Sequence, residues 1–193
     1  MIRPFLFALI FASSFTSCLA QKKSKAPIPT AGESRLDNAE IRARLAERSI
    51  VNGLEFTSIG PTIMSGRVVD IAVNPTNPTE FYVAYASGGL WHTNNNGTSF
   101  KPIFDNEIVN TIGAIAVDWN SGHIWIGTGE VNSSRSSYAG TGIYVSEDRG
   151  ETWDYRGLPE SHHIGRVILH PNNNQVALVA VLGHLYTPNE ERG

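Results

Sequence analysis

The chain has 193 residues, a formal net charge of −3, 41% hydrophobic residues and a single cysteine. Its length supports one packed core, and a lone cysteine excludes an internal disulfide framework. Mild acidity without a Lys/Arg stripe argues against a nucleic-acid partner.

Residues 1–20 read as an export signal. Arg3 gives the positive start, Phe5 to Ala12 the apolar run, and Leu19-Ala20 ends a stretch of small residues. The run is too short to cross a bilayer, which takes about 20 residues. Two processing routes stand open: ordinary cleavage after Ala20, or lipidation of Cys18 in the context Phe15-Thr16-Ser17-Cys18. Both make the chain exported, as a secreted, periplasmic or cell-envelope protein, with membrane contact only through a lipid on Cys18. Residues 21–55 read as a tether carrying a short helix over 33–48. Leu36, Ile41 and Leu45 give that helix only a thin apolar stripe, which places it on a surface or in an ordered part of the tether.

From residue 56 the pattern changes to short β-branched and aromatic runs separated by Asn, Gly and Pro, the signature of strands and turns. Strands are predicted at Val68–Val73, Phe81–Tyr85, Leu90–Thr93, Ala114–Asp118, His123–Gly127, Ile143–Ser146, Val167–His170 and Val176–Val181. They recur as a set. GRVVDIAVNP, GAIAVDWN and GRVILHPNNN open repeats at about 66–104, 113–157 and 165–193. Each opening leads to a second strand, then to a third (GLWHT, GIYVS, and HLY at 184–186). The first two copies add a fourth, near Phe100–Phe104 and Trp153–Arg156. Four short antiparallel strands per repeat of about 40 to 50 residues match a propeller blade.

The third and fourth strands of two copies are joined by one turn pattern. Thr93, Asn95, Gly97, Ser99 and Phe100 in the first correspond to Ser146, Asp148, Gly150, Thr152 and Trp153 in the second. Asn95 or Asp148 is suited to accept turn N–H groups, glycine suits a positive φ, and the aromatic suits packing beneath the turn. These residues are therefore structural. On them, and on YVAYASGGLWHTNNNGTSFKPIFD and IWIGTGEVNSSRSSYAGTGIYVSEDRGETWDYRGL, residues 56–193 resemble the BNR/Asp-box propellers related to the sortilin N-terminal (VPS10-type) domain. They are similar in particular to a bacterial glycosyl-hydrolase-like subgroup. The resemblance implies an all-β propeller of four-stranded antiparallel blades with Asp-box turns, present here as an N-terminal fragment of two blades and part of a third. Propellers close with about 4 to 8 blades, so residues 21–193 alone are expected to aggregate or to order poorly.

Glycoside hydrolysis takes two carboxylates, and Asp70, Asp105, Asp118, Glu130 and Asp154 are available. Glu130 and Asp105 are the catalytic candidates. Glu130 precedes an insertion whose Asn132, Arg135 and Tyr138 are candidate ligand-binding residues; the alternative is a surface loop with Glu130 as a cap. Asp-box xyloglucanases carry Asp-x-Gly-Gly at a catalytic position where this chain has Ala86-Ser87-Gly88-Gly89. It also lacks the Arg-Ile-Pro element of sialidases. The histidines are not at metal-ligand spacing, and Gly127-Thr128-Gly129 lacks a phosphate-loop lysine, so neither metal nor cofactor is expected. The leading expectation is an exported binding or scaffold module recognising a protein, peptide or glycan. The alternative is a glycoside hydrolase acting on a polysaccharide, with catalytic residues partly beyond residue 193.

Overall fold

A computed structural model describes residues 28–55, 57, 66–135 and 137–186. The expected export signal and Cys18 lie outside the described residues. Among the described residues one α-helix, α1 (Gly32–Glu47), precedes ten strands. The first four are β1 (Val68–Val73), β2 (Phe81–Tyr85), β3 (Gly89–Thr93) and β4 (Lys101–Pro102). The next four are β5 (Ile112–Asp118), β6 (His123–Thr128), β7 (Ile143–Ser146) and β8 (Asp154–Tyr155). A 3-10 turn (Pro159–Ser161) leads to β9 (Ile164–His170) and β10 (Asn173–Val181).

The strands form two four-stranded antiparallel sheets, β1-β2-β3-β4 and β5-β6-β7-β8, and a two-stranded sheet of β9 and β10. The fold is thus all-β, with two propeller blades and the first two strands of a third among the described residues. The leading strands β1, β5 and β9 lie side by side. The alternation of Tyr82, Ala84 and Leu90 on one blade, with Ile103 and Phe104, meets Ile112, Ile115, Ile124, Ile126 and Tyr144 of the next. A second core joins Ala114, Ile143 and Val145 to Ile164 and Val167. Both faces of the middle sheet are therefore buried. At the two ends of the row, Ile71 and Val73 on β1 and the cross-strand pair Ile168 and Leu178 stand exposed.

Two expectations are corrected. The fourth strands are two residues long, and β4 ends where Pro102, paired with Trp91, offers no N–H to the ladder. His184-Leu185-Tyr186 is not a strand; the Tyr186 hydroxyl donates instead to Ser134 O at 2.7 Å. The helix lies on the surface, with its first turn pinned to the second blade, as detailed below. Its stripe is mostly idle, with Ile41 45% and Leu45 65% exposed. Among the described residues no helix is long and apolar enough to cross a membrane.

The repeated turns have the expected hydrogen bonds. Thr152 N–H donates to Asp148 Oδ1 at 2.8 Å and Gly150 N–H to Ser146 Oγ at 2.7 Å. In the first blade, Ser99 N–H donates to Asn95 Oδ1 and Gly97 N–H to Thr93 Oγ1, both at 3.0 Å. Gly97 and Gly150 take φ of 79° and 92°, which suits residues without a Cβ. Trp153 reaches across the blade boundary: its indole N–H donates to Ile103 O at 2.7 Å and its ring meets Phe104 edge-on at 5.0 Å. Phe100 stays within its own blade, 6.0 Å from Phe81.

Burial pushes the Asp148 carboxyl up, but hydrogen bonds from the Thr152 hydroxyl and backbone and from Ser146 win and hold it down at about 2. A depressed carboxyl stabilises the fold above the ordinary aspartate value of 3.8 and loses that contribution as the pH falls toward about 2. Asp148→Asn, which copies the native Asn95 turn but carries no charge, should flatten the stability-versus-pH curve in that acid window and lower neutral-pH stability toward the level the parent reaches in acid. Trp153→Ala should destabilise the domain by about 3 kcal/mol in denaturant titrations, a value typical of lost packed aromatics.

Candidate functional site

In antiparallel blades all β2–β3 and β6–β7 connections, and all entries into β1, β5 and β9, emerge at one end of the sheets. This end collects Arg67, Ser87, Asp105, Val109 to Thr111, Glu130 to Arg135, Ser137 to Thr141 and Pro159 to His163. Asp118, in the β5–β6 turn, lies at the opposite end and binds Asn120 N–H and the Ser121 hydroxyl. Asp70 joins blades by accepting Ile115 N–H at 3.0 Å, and Asp154 pairs with Arg156 at 3.3 Å.

Glu130 is wholly buried. Arg67 grips it from the first blade, with Nε 3.2 Å from Oε1 and Nη2 2.7 Å from Oε2, and the Ser137 hydroxyl also donates to Oε2. Burial pushes this carboxyl up, yet Ser137, Arg67 and Asn132 together hold it below the ordinary glutamate range. It is an ionised anchor at neutral pH, tied to the side chains of Arg67 and Ser137. His163 donates its Nδ1–H to the Glu130 carbonyl at 2.7 Å, fixing the same corner.

The insertion after Glu130 is closed at its neck by Thr128. Its Oγ1 donates to Gly142 O at 2.6 Å and accepts N–H groups from Thr141 and Gly142. Asn132, Arg135 and Tyr138 are all exposed, Tyr138 at 60%. Tyr138 lines a 250 Å³ groove shared with Ser87, Val109, Asn110, Thr111 and Ala139. Thr111 Oγ1–H donates to Tyr138 O at 3.1 Å, so the tyrosine backbone is fixed to the groove floor. Asp105 is exposed at its margin: a Cβ added to Gly89 would lie 3.3 Å from Asp105 Oδ1 and 3.9 Å from Asn110 Oδ1. The structure thus brings Asp105 and Tyr138 toward one groove and fastens Glu130 beneath the insertion.

One polar cluster was missed from sequence. Arg35 of α1 donates through Nη1 to Gly140 O and through Nη2 to Pro159 O at 3.2 Å, with His162 Nδ1 3.3 Å away. His162 Nε2 lies 3.2 Å from Glu160, whose other oxygen accepts Gly32 N–H at 2.5 Å. No motif marks Arg35, because the partners are mostly backbone carbonyls of a segment more than a hundred residues away. His92 pairs with Glu80 and stacks on Tyr82, as a packed strand histidine does. Among the described residues no group of three His, Cys, Asp or Glu side chains is arranged to hold a metal.

No protein-family model matches the chain, and no curated protein matches it. Among solved structures it is similar over 61% of its length to an ancestral GH74 enzyme, with 22% identity and a TM-score of 0.48. It is similar over 50% of its length to the GH74 xyloglucanase from Xanthomonas campestris, with 18% identity and a TM-score of 0.39. It is similar over 54% of its length to PorZ, a surface component of the type-IX secretion system of Porphyromonas gingivalis, with 23% identity and a TM-score of 0.39. The chain spans 16%, 16% and 14% of the lengths of these three proteins.

Glu130→Gln should lower stability by about 1–3 kcal/mol, the range for leaving a buried polar partner unsatisfied. The value stays below that of a fully buried pair because the Arg67 side chain is 42% exposed. Thermal unfolding at neutral pH checks this. The difference from the parent protein should shrink as the pH falls through the lowered Glu130 value, where the parent loses the same charge.

Proposed function

We propose that the chain is a carbohydrate-recognition propeller module that holds a neutral glycan in the groove between Ser87, Asn110 and Tyr138. The observation carrying this reading is the exposed Tyr138 ring beside hydroxyl and amide groups, in a groove lined by no charged side chain. A ring face suits the apolar face of a sugar, and Ser, Thr and Asn supply the paired donors and acceptors that hydroxyl groups need. An anionic or cationic ligand would find no counter-charge in that lining. Export of the chain, the expectation from residues 1–20, would put such a module where polysaccharides are found.

A second reading, hydrolysis of the bound glycan, is favoured by Asp105 at the groove margin. It requires a second carboxylate about 5 to 9.5 Å from the first. Glu130 is a poor partner, because its carboxylate is wholly buried and clamped by Arg67, out of reach of a bound sugar.

Affinity electrophoresis in gels containing neutral polysaccharides tests the main reading. The parent protein should be retarded by at least one of them, and Tyr138→Ala should weaken that retention about tenfold, or about 1.4 kcal/mol. Equal retention of both proteins would refute the groove assignment. Release of reducing ends by the parent, lost in Asp105→Asn with unfolding unchanged, would establish the hydrolytic reading in its place.

A further inference from the structure

The first turn of α1 is held in an unusual way. Most surface helices dock by an apolar stripe, but the stripe of α1 is largely exposed. Its first turn is pinned through Gly32 and Arg35. Gly32 is buried against Pro159, so closely that an added Cβ would fall 2.1 Å from the Pro159 carbonyl oxygen. Its N–H is capped by Glu160, which supplies negative charge at the positive end of the helix. Arg35 then enters the corner formed by Gly140, Pro159 and His162.

This attachment is incompletely satisfied and loosely packed. Arg35 Nε is buried without a hydrogen-bond partner. A 340 Å³ cavity lies on one side of Arg35, bounded by Ile28 to Thr30, His162, His163 and His184. A 360 Å³ cleft lies on the other side, between Arg35, Asn38 and Arg42 of the helix and Ile108, Val109 and Thr141 of the blades. Val109 also lines the proposed glycan groove, so the helix stands at the edge of that groove.

We propose that α1 is a strap over the loop end of the blades, closed at neutral pH by the Arg35–His162 contact and released when His162 takes up a proton. The chemistry follows from the tautomer. His162 Nδ1 faces the Arg35 guanidinium, which only donates, so Nδ1 is the acceptor and Nε2–H points to Glu160. A proton added at Nδ1 removes the acceptor and sets two cations 3.3 Å apart. His184, with its ring centre 5.0 Å from that of His162, adds to the repulsion when charged, and His163 is the chain neighbour. Glu160 opposes release by attracting the imidazolium, and Glu130, on the far side of His163, is already neutralised by Arg67. Tyr155 is uncharged near neutrality, its phenol pushed up to about 12 by burial. The balance favours release: burial first, then Arg35 and His184, lower the His162 value below the usual 6.5 despite Glu160. Because docking is what sets the Arg35 guanidinium 3.3 Å from His162 Nδ1, and that cation disfavours the imidazolium, the docked strap binds fewer protons than the free one. Closure is complete above the ordinary histidine range and weakens as the pH falls through it.

The inference goes beyond the glycan reading and does not rest on it, because the strap is detectable without ligand. Hydrogen exchange of the full chain at about pH 7.5 and about pH 5 tests it, after correction for intrinsic rates. Amides at the start of α1 should lose protection in acid, by up to about tenfold for each pKa unit by which docking lowers His162. The β5–β7 amides should stay protected. His162→Gln, which keeps an acceptor for Arg35 and a donor for Glu160, should hold the strap closed at both pH values. Gly32→Ala should open it at both, through the clash with Pro159. The proposal is overturned if α1 protection does not change with pH, if the change survives in His162→Gln, or if blade amides lose protection in parallel.

Discussion

The middle sheet of this protein is apolar on both faces, and every other feature is arranged around the need to cover them. Ile115, Ile124 and Ile126 point into the core shared with the first blade, whereas Ala114, Ile143 and Val145 point toward β9 and β10. With both faces committed to neighbours, no polar chemistry can sit on the flat of a sheet without a desolvation cost. Only the ends of the strands are free. The box turns take one end, where the Trp153 indole reaches Ile103 of the preceding blade and covers its core from the rim. The opposite end is left to loops, and the groove, the insertion and the docked helix all lie there.

Charge at that end is divided by depth. Glu130 is buried and held by an arginine from the neighbouring blade, so it acts as an electrostatic rivet between sheets. Removing both partners would cost less than removing one, as is general for buried pairs. Asp105, by contrast, is exposed beside Asn110 and has no such duty. The rivet also organises the insertion above it, because Ser137 binds the carboxylate and in turn accepts Ser134 N–H at 2.9 Å. Tyr138 follows immediately in sequence. An exposed ring is thereby presented from a loop whose base is fixed, which lowers the entropy lost when a ligand settles on it.

The repeated strands and both box turns were legible in the sequence because their causes are local. The short apolar run of β5 and the positive φ at Gly97 and Gly150 depend on residues a few positions apart. What escaped depends on distance along the chain. Glu130 stood out by composition as a catalytic candidate, and nothing nearby announced that Arg67, 63 residues earlier, would claim it. The third strand at His184-Leu185-Tyr186 was inferred by analogy with GLWHT and GIYVS. In the fold these residues turn back to the second blade instead, through Tyr186 to Ser134 and His184 to His162. Arg35 was hidden most completely, since carbonyl acceptors carry no side-chain identity and leave no pattern to read.

The manner of α1 docking also says what kind of element it is. Apolar burial is non-directional and indifferent to pH, so a helix meant to stay in place would present Ile41 and Leu45 to the blades. Here those side chains face water, and the hold depends on a few oriented bonds around one imidazole. Each bond has a competing alternative in solvent, so the net gain is small. The cluster gains cooperativity because Glu160 serves two donors, Gly32 N–H and His162 Nε2–H, and losing one loosens the other. A contact of that kind switches within a narrow pH range, where a greasy interface would not. The cavities flanking Arg35 point the same way: tight packing on either side would have tied the position of the helix to the core, and its looseness leaves the strap independent of the blades it covers.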